Sequence, residues 1–215
     1  MIYSVIVFVK NPIVGKVKTR VAATVGNEKA VDVYVELLQH TKNVMKEWMD
    51  ESVEFIQKRV CVYYGDFIND NDLWNEPFFE KKLQCESPDL GDRMKAAFET
   101  ELEISGRVII VGSDCLDILP AHLSRAFAAL DTHKVVIGPA DDGGYYLLGM
   151  KTLHRNLFEN KSWSQPTLLK ETITDLAQTN QGKNDAEGYY LLETLSDIDT
   201  WEDYLAAKNR RISGG

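Results

Sequence analysis

The sequence predicts a mostly parallel, doubly wound α/β sheet, and three observations lead there. Short apolar runs rich in β-branched residues alternate with segments of helical periodicity along the whole chain. Right-handed crossovers between such runs bury both faces of a sheet. Polar loops bearing glycine follow three of the runs, where a parallel sheet gathers its ligand-binding loops along one edge. The 215 residues fit one large domain, 1–215.

The elements follow in order. YSVIVFVK (3–10) is a first strand, and the loop NPIVGKVKTR comes after it. From about Glu28 to Met49, Val31, Val35, Leu38, Val44, Met45 and Trp48 recur at helical spacing. RVCVYYG (59–65) is the second strand, and the acidic DFINDNDLWNE (66–76) reads as a solvated connection or short helix. QCE (84–86) is a candidate brief strand. LGDRMKAAFETELEI (90–104) is a helix opened near Asp92, and RVIIVGSD (107–114) is a strongly apolar strand ending in Gly-Ser-Asp. Pro120 starts a helix through about Leu130. KVVIGPA (134–140) and GYYLLGM (144–150) are strands, the second too apolar for the arm of a solvent-facing hairpin. A helix from about Gln165 to Gln178, a strand GYYLLE (188–193) and a closing helix complete the chain. Thr200 and Asp203 match the N-cap and N3 partner of that last helix.

Composition narrows the function. The chain is 44% hydrophobic and 27% charged, with no repeat or low-complexity tract. A net charge of −9 argues against a nucleic-acid-binding face, which needs a basic surface. It leaves room for an anionic small molecule held by a local basic cluster. No run approaches the ~18 apolar residues of a membrane span. The opening MIYSVIVFVK lacks the basic start and cleavage site of a signal peptide. Cys61, Cys85 and Cys115 form no C-x-x-C pair, so free thiols in a reducing cytoplasm are expected.

Five stretches could carry chemistry. KNPIVGKVKTR concentrates Lys10, Lys16, Lys18 and Arg20 around Gly15. Its glycine lets backbone approach a ligand, and its arginine can grip a phosphate with two parallel hydrogen bonds. The pattern is not a P-loop. Gly-Ser-Asp places Asp114 where a carboxylate could hold Mg²⁺ or Mn²⁺, and equally where a turn or cap aspartate would sit. GDRM could turn Arg93 toward an anion, or simply begin a helix. DIDT offers Asp197 and Asp199, either as charges complementing a helix dipole or, for Asp199, as a second metal ligand opposite Asp114. The doubled punctuation of GPADDGGYYLLG brings Asp142, Gly143 and Gly144 to the same sheet edge. His40, His122, His133 and His154 are scattered, and neither G-x-S-x-G nor H-E-x-x-H occurs. Hydrolase triads and zinc proteases therefore have no support.

Taken in order, FVKNPIVGKVKTR, GDRM, VGSD, GPADDGGYYLLG and DIDTWEDY resemble a bacterial family of predicted glycosyltransferases, the selenodomain-associated transferase type. The likeness covers nearly the whole chain. It implies the GT-A, or nucleotide-diphospho-sugar transferase, fold: a Rossmann-like α/β/α sandwich with a mostly parallel central sheet. It further implies a metal-dependent transferase using a nucleotide-activated sugar donor and a small-molecule acceptor. By this resemblance Lys18 and Arg20, with Lys10, Gly15 and Arg93, would take the nucleotide's phosphates. Asp114 and Asp199 would hold Mg²⁺ or Mn²⁺, and Asp142, Gly143 and Gly144 would line the acceptor or sugar side. Asp114, Asp142 and Lys18 would be the catalytic set, with Asp142 as the candidate base. Glycosyltransferases of this fold commonly carry Asp-x-Asp where this chain has Gly-Ser-Asp. Related nucleotidylyltransferases often have several glycines in the first loop, where this chain has only Gly15. Glycosyl transfer, nucleotidylyl transfer and nucleotide binding without catalysis all remain open on the sequence.

Overall fold

The octapeptide IYSVIVFV forms β1 (Ile2–Val9), and its alternation assigns the two faces of the molecule. Tyr3, Val5, Val7 and Val9 belong to one apolar cluster and Ile6 to another. The computed structural model describes residues 1–179 and 188–213. After β1 come α1 (Thr19–Val25), α2 (Asn27–Asp50), β2 (Gln57–Tyr64), β3 (Phe79–Leu83), α3 (Leu90–Leu102) and β4 (Arg107–Val111). Then follow α4 (Pro120–Thr132), β5 (Val135–Pro139), β6 (Tyr145–Met150), α5 (Leu168–Thr179), β7 (Tyr189–Leu191) and α6 (Trp201–Ser213).

The strands form one sheet in the order β3-β2-β1-β4-β6-β5-β7. All neighbours are parallel except that β6 runs antiparallel to both β4 and β5. The chain moves outward from β1 to β2 and β3, then returns through α3 to place β4 on the other side of β1. The β1–β4 boundary is thus the point where strand order reverses, and the crevice above its carboxyl end is where such sheets bind ligands. Helix α4 next carries the chain past one strand position, and a hairpin returns β6 into the gap. The strand expected to be too apolar for a solvent-facing hairpin arm is a hairpin arm that is buried. Its apolar character reflects a central position, with Tyr146 to Met150 all buried.

Helices α1, α2, α4 and α6 cover one face, and α3 and α5 the other. In α2 the buried positions Ala30, Val33, Tyr34, Leu37, Leu38, Thr41, Val44, Met45 and Trp48 fall every three or four residues. Trp48 stacks on Phe127 of α4 at 5.2 Å, and Phe127 on Tyr3 of β1 at 4.7 Å, so one aromatic column joins three elements. Each such pair adds about 0.5–1.5 kcal/mol beyond its buried area.

The structure moves some elements from their expected places. The edge strand is Phe79–Leu83 rather than 84–86, because Phe79 anchors it against Trp74 and Phe78. Its two lysines reach Asp72 and Glu101. The acidic connection before it is not simply solvated, since Trp74 is buried and Asp72 pairs with Lys81. The first helix past the basic loop is the short α1, whose one buried residue, Val21, gives no readable period. Helix α3 is capped by Asp89, whose side chain accepts from the Asp92 amide, rather than opened by Asp92. The cap expected at Thr200 is present: Thr200 Oγ1 accepts from the Asp203 amide and Asp203 returns the bond to the Thr200 amide. Among the described residues no helix is long and apolar enough to cross a membrane.

One charged cluster lies inside the fold, away from the sheet's carboxyl edge. The fully buried Glu101 of α3 accepts from Tyr63 at 2.8 Å and from Arg59 at 3.0 Å, and also meets Lys82. Burial opposes its charge, but the Lys82 and Tyr63 donors outweigh burial and hold its carboxyl below the ordinary glutamate value. Glu101→Gln should cost about 3–5 kcal/mol, because Arg59 and Lys82 lose the charge that compensates them. A depressed folded value contributes stability above the unfolded value and loses it as pH falls. The gap in denaturation midpoint between parent and variant should therefore be full at neutral pH and close below about pH 4.3. A gap that persists unchanged in acid would show that the glutamate's charge is not what matters there.

Candidate functional site

Four loops meet above the carboxyl ends of β1, β4 and β5, and each is fixed by contacts its own sequence supplies. The loop after β1 is tied down at both ends. At its root the Lys10 amide donates to the Tyr34 hydroxyl at 2.9 Å, and Asn11 donates through its amide and side chain to both oxygens of Asp66. At its far end Val17 is buried. Between them Ile13 to Lys16 are exposed, and Gly15 makes the turn at φ 76°. Lys18 follows in the left-handed region, at φ 45° and ψ 48°, as the N-cap of α1.

The loop after β4 carries Gly112, the buried Ser113 and Asp114. The β5–β6 turn is closed by Gly143 N–H to Ala140 O at 3.1 Å and by Asp142 Oδ1 accepting from the Gly144 amide at 2.8 Å. The segment after β7 is laced to both. The Leu195 amide donates to Pro139, the Asp141 amide to Leu195, the Ser196 hydroxyl to Asp141 at 2.6 Å, and the Ile198 amide to the Asp114 carbonyl at 2.9 Å. The paired aspartates of the turn thus divide their work. Asp141 staples the turn to the segment that carries Asp197 and Asp199, and Asp142 stays on the cleft wall.

Together these loops enclose a cleft of about 670 Å³, within the usual range for small-molecule sites. Lys10, Lys18, Arg20, Arg93, Asp114, Asp142, Gly144 and Asp199 all line it; Gly15 and Gly143 do not. Gly15 shapes a turn behind the wall. Gly143, at φ 88°, would drive a Cβ to 2.2 Å from the Pro166 carbonyl oxygen, and its own carbonyl accepts from the Leu169 amide. Its conformation serves packing of the turn against the start of α5. Arg93 enters from α3 on the opposite face of the sheet from α1, and donates to Gln84 at 3.2 Å.

Two of these cations are already partnered by carboxylates. Lys18 Nζ lies 2.8 Å from Asp114 Oδ1 and 3.8 Å from Asp199 Oδ1, and donates to the Ile198 carbonyl at 2.6 Å. Arg20 lies 2.8 Å from the other oxygen of Asp199. The two aspartates expected to hold a metal are thus each bound to a cation expected to hold phosphate. Among the described residues no three acidic, histidine or cysteine side chains converge as a ready metal cage. The donor chemistry nonetheless suits a hard divalent ion, since only carboxylate oxygens are offered.

Sequence reasoning assigned Asp197 to a helix dipole, but Asp203 performs the capping and Asp197 is half-buried at the cleft. Burial, then the negative charges of Asp114 and Asp142, push its carboxyl up to about 7 against the pull of Lys18. Asp197 thus shares the cleft with Asp114, Asp142 and Asp199, and Lys10, Lys16, Lys18, Arg20 and Arg93 line the same walls. Its i, i+2 spacing from Asp199 was the available signal. Tyr34 and Trp163, which also line the cleft, carried none. Burial and the charge of Asp114 push the Tyr34 hydroxyl up to about 12.

A mostly parallel sheet with one reversed strand, and an acidic and basic cleft at its switch point, define the GT-A type of nucleotide-diphospho-sugar transferase fold. The chain belongs to the bacterial family described as "Uncharacterized protein conserved in bacteria (DUF2064)", whose sequence model matches residues 22–165. A similar solved structure is a candidate nucleotide-diphospho-sugar transferase from Desulfovibrio desulfuricans G20. It is 28% identical over 92% of this chain and 82% of that one, with a TM-score of 0.77. A CMP:2-keto-3-deoxy-manno-octonic acid synthetase complexed with CTP is similar over the full length of both chains, at 11% identity and TM-score 0.56. The 4-diphosphocytidyl-2C-methyl-D-erythritol synthase of Anaerococcus prevotii matches over 98% of this chain and 96% of its own, at 13% identity and TM-score 0.53. These last two show the shared fold alone. No functionally curated protein matches the chain.

Gly143→Ala should destabilise the protein by more than about 1 kcal/mol, since alanine at positive φ is strained and here also meets backbone. Chemical denaturation would measure this, and an unchanged midpoint would show that the turn relaxes freely.

Proposed function

We propose that the protein is a metal-dependent transferase that uses a nucleotide-activated sugar donor. The observation that carries this reading is the meeting of Lys18, Arg20, Asp114, Asp142 and Asp199 in one cleft at the sheet's switch point. The likeness to a candidate nucleotide-diphospho-sugar transferase supports it.

In this reading Lys18 and Arg20, with Lys10 and the rim residue Lys16, take the donor's phosphates, and Arg93 borders the nucleotide from the α3 side. Asp114 and Asp199 would hold Mg²⁺ or Mn²⁺, which supplies positive charge to offset what develops on the leaving diphosphate. Asp142, beside Gly144, orients the acceptor hydroxyl and takes its proton as the acceptor oxygen bonds to the anomeric carbon. The bond from that carbon to the donor phosphate breaks, and its electron pair leaves with the nucleoside diphosphate. No protein nucleophile is required. The cations act by being fixed before the charge develops.

One observation favours a second reading, nucleotidylyl transfer from a nucleoside triphosphate to a phosphorylated small molecule. The loop after β4 offers Asp114 after Gly112 and Ser113 with no Asp-x-Asp, and its other carboxylate, Asp117, is paired with Arg210. The same cleft residues would then serve a leaving pyrophosphate.

A thermal-shift panel of nucleotide sugars and nucleoside triphosphates, each with and without Mg²⁺ or Mn²⁺, separates the readings. A ligand at 100 times its dissociation constant adds about 2.7 kcal/mol to stability, enough to raise the melting temperature visibly. Metal-dependent stabilisation by one nucleotide sugar supports glycosyl transfer; response to a triphosphate alone supports the second reading. No response to any nucleotide would sink both. Asp114→Asn should remove the metal-dependent part of the shift and leave the fold intact. Lys18→Ala and Arg20→Ala should weaken di- and triphosphates about 10- to 100-fold, the worth of one charged hydrogen bond, and monophosphates less. Equal losses for all three would argue against phosphate contact.

A further inference from the structure

We propose that Lys18 and Arg20 form a latch on the acidic floor, and that a polyphosphate must draw these cations away before Asp114 and Asp199 can take a divalent ion. Metal and nucleotide then bind as a coupled pair, each raising the other's affinity. The inference rests on the metal-dependent reading above and concerns the order in which that site is filled.

The geometry points to a latch because of where the ammonium lies. Lys18 Nζ sits between the two carboxylates, 2.8 Å from Asp114 and 3.8 Å from Asp199, with the Ile198 carbonyl as a further acceptor at 2.6 Å. Its side chain is only 8% exposed, whereas those of Asp114 and Asp199 are 45% and 44% exposed. The ammonium is thus the inner cation, and the carboxylates turn their remaining surface to the cleft. Arg20 occupies the second oxygen of Asp199 from outside and is itself 68% exposed. A divalent ion bridging these carboxylates would lie against the ammonium, and like charges at such range repel strongly where water is partly excluded.

A polyphosphate changes the balance. Its oxygens offer Lys18 and Arg20 alternative acceptors, and Arg20, exposed and planar, can meet two at once. Release of the cations leaves Asp114 and Asp199 with uncompensated negative charge, which raises their affinity for a divalent ion. By linkage the metal then strengthens phosphate binding by the same factor. The residual charge also explains how an acidic floor admits an anionic ligand: neither partner enters alone at low cost.

A permanent strut is the competing role for Lys18, since the same ammonium ties the loop after β1 to the segment 197–199. The two roles differ in sign. Mn²⁺ binding to the full-length protein, without nucleotide, is measured by water-proton relaxation for the parent, Lys18→Met and Lys18→Asn. Asparagine tolerates the left-handed backbone at this position, so a folding failure of the methionine variant leaves a second test. The latch predicts that both variants bind Mn²⁺ at least about 10-fold tighter than the parent, and that adding Asp114→Asn removes the gain. In the parent, inorganic pyrophosphate should produce a slowly tumbling ternary complex with enhanced relaxation. Unchanged or weaker Mn²⁺ binding in the variants, alongside a ternary complex in the parent, would overturn the latch and leave the metal-dependent reading standing. Absence of Mn²⁺ binding in every protein, with and without pyrophosphate, would overturn both.

Discussion

The contact between Lys18 and Asp114 is the interaction on which the cleft edge of the sheet depends. Three segments distant in sequence meet at one ammonium: the loop after β1, the loop after β4 and the strand-to-helix segment near residue 198. None has a regular structure of its own to fix it there. Lys18 is a largely shielded partner and Asp114 its nearer carboxylate, so the contact is screened less than Arg20 with Asp199. Its direction is set by backbone, because Lys18 sits at positive φ where the chain turns into α1.

That contact is possible only because of the way the sheet is wound. The loops after β1 and β4 lie side by side since β1 and β4 are neighbours, in register from Tyr3–Arg107 to Val7–Val111. Inserting β6 between β4 and β5 sets the Asp142 turn one strand further out, and β7 beyond β5 brings the last acidic segment back across the edge. A different order of the same strands would scatter these side chains. The reversed strand also explains why two aspartates and two glycines stand together in the chain. A tight turn between two fully buried strands must satisfy its own amides, hold the neighbouring segment and pass close to Pro166, all within five residues.

Much of this was legible in the sequence, and what was not has definite causes. Every long apolar run became a strand, because runs such as RVIIV have no other way to bury all of their side chains. The α2 stripe and the Thr200 cap were readable for the same reason: both are local patterns with one physical use. Strand direction was not readable, since an apolar strand reads the same in either orientation, and so the hairpin at Asp142 was missed. Edge strand β3 was missed because its lysines look solvent-facing until Glu101 and Asp72 are placed beneath them. At the site, residue membership of the cleft followed from loop position, but partnership did not. Charge pattern alone shows four cations and several carboxylates; only the fold reveals that Lys18 and Arg20 pair with Asp114 and Asp199.

On the proposed reading, that pairing bears on how an acidic chain would suit a phosphate ligand. A net charge of −9 sets up a field that repels nucleotides at long range, and the carboxylates of the cleft repel them at short range. A purely basic pocket would bind polyphosphate more tightly, yet it would hold the diphosphate product as firmly as the donor. A floor of mixed sign behaves differently. Lys18 and Arg20 are already paired with carboxylates, so for them the binding free energy is a difference between two sets of ion pairs rather than the whole worth of one. Such a site gains most where the ligand and a divalent ion replace all the internal pairs together, and least where either comes alone. On the proposed reading, weak binding of each alone and strong binding of both would make uptake of the polyphosphate depend on the divalent ion.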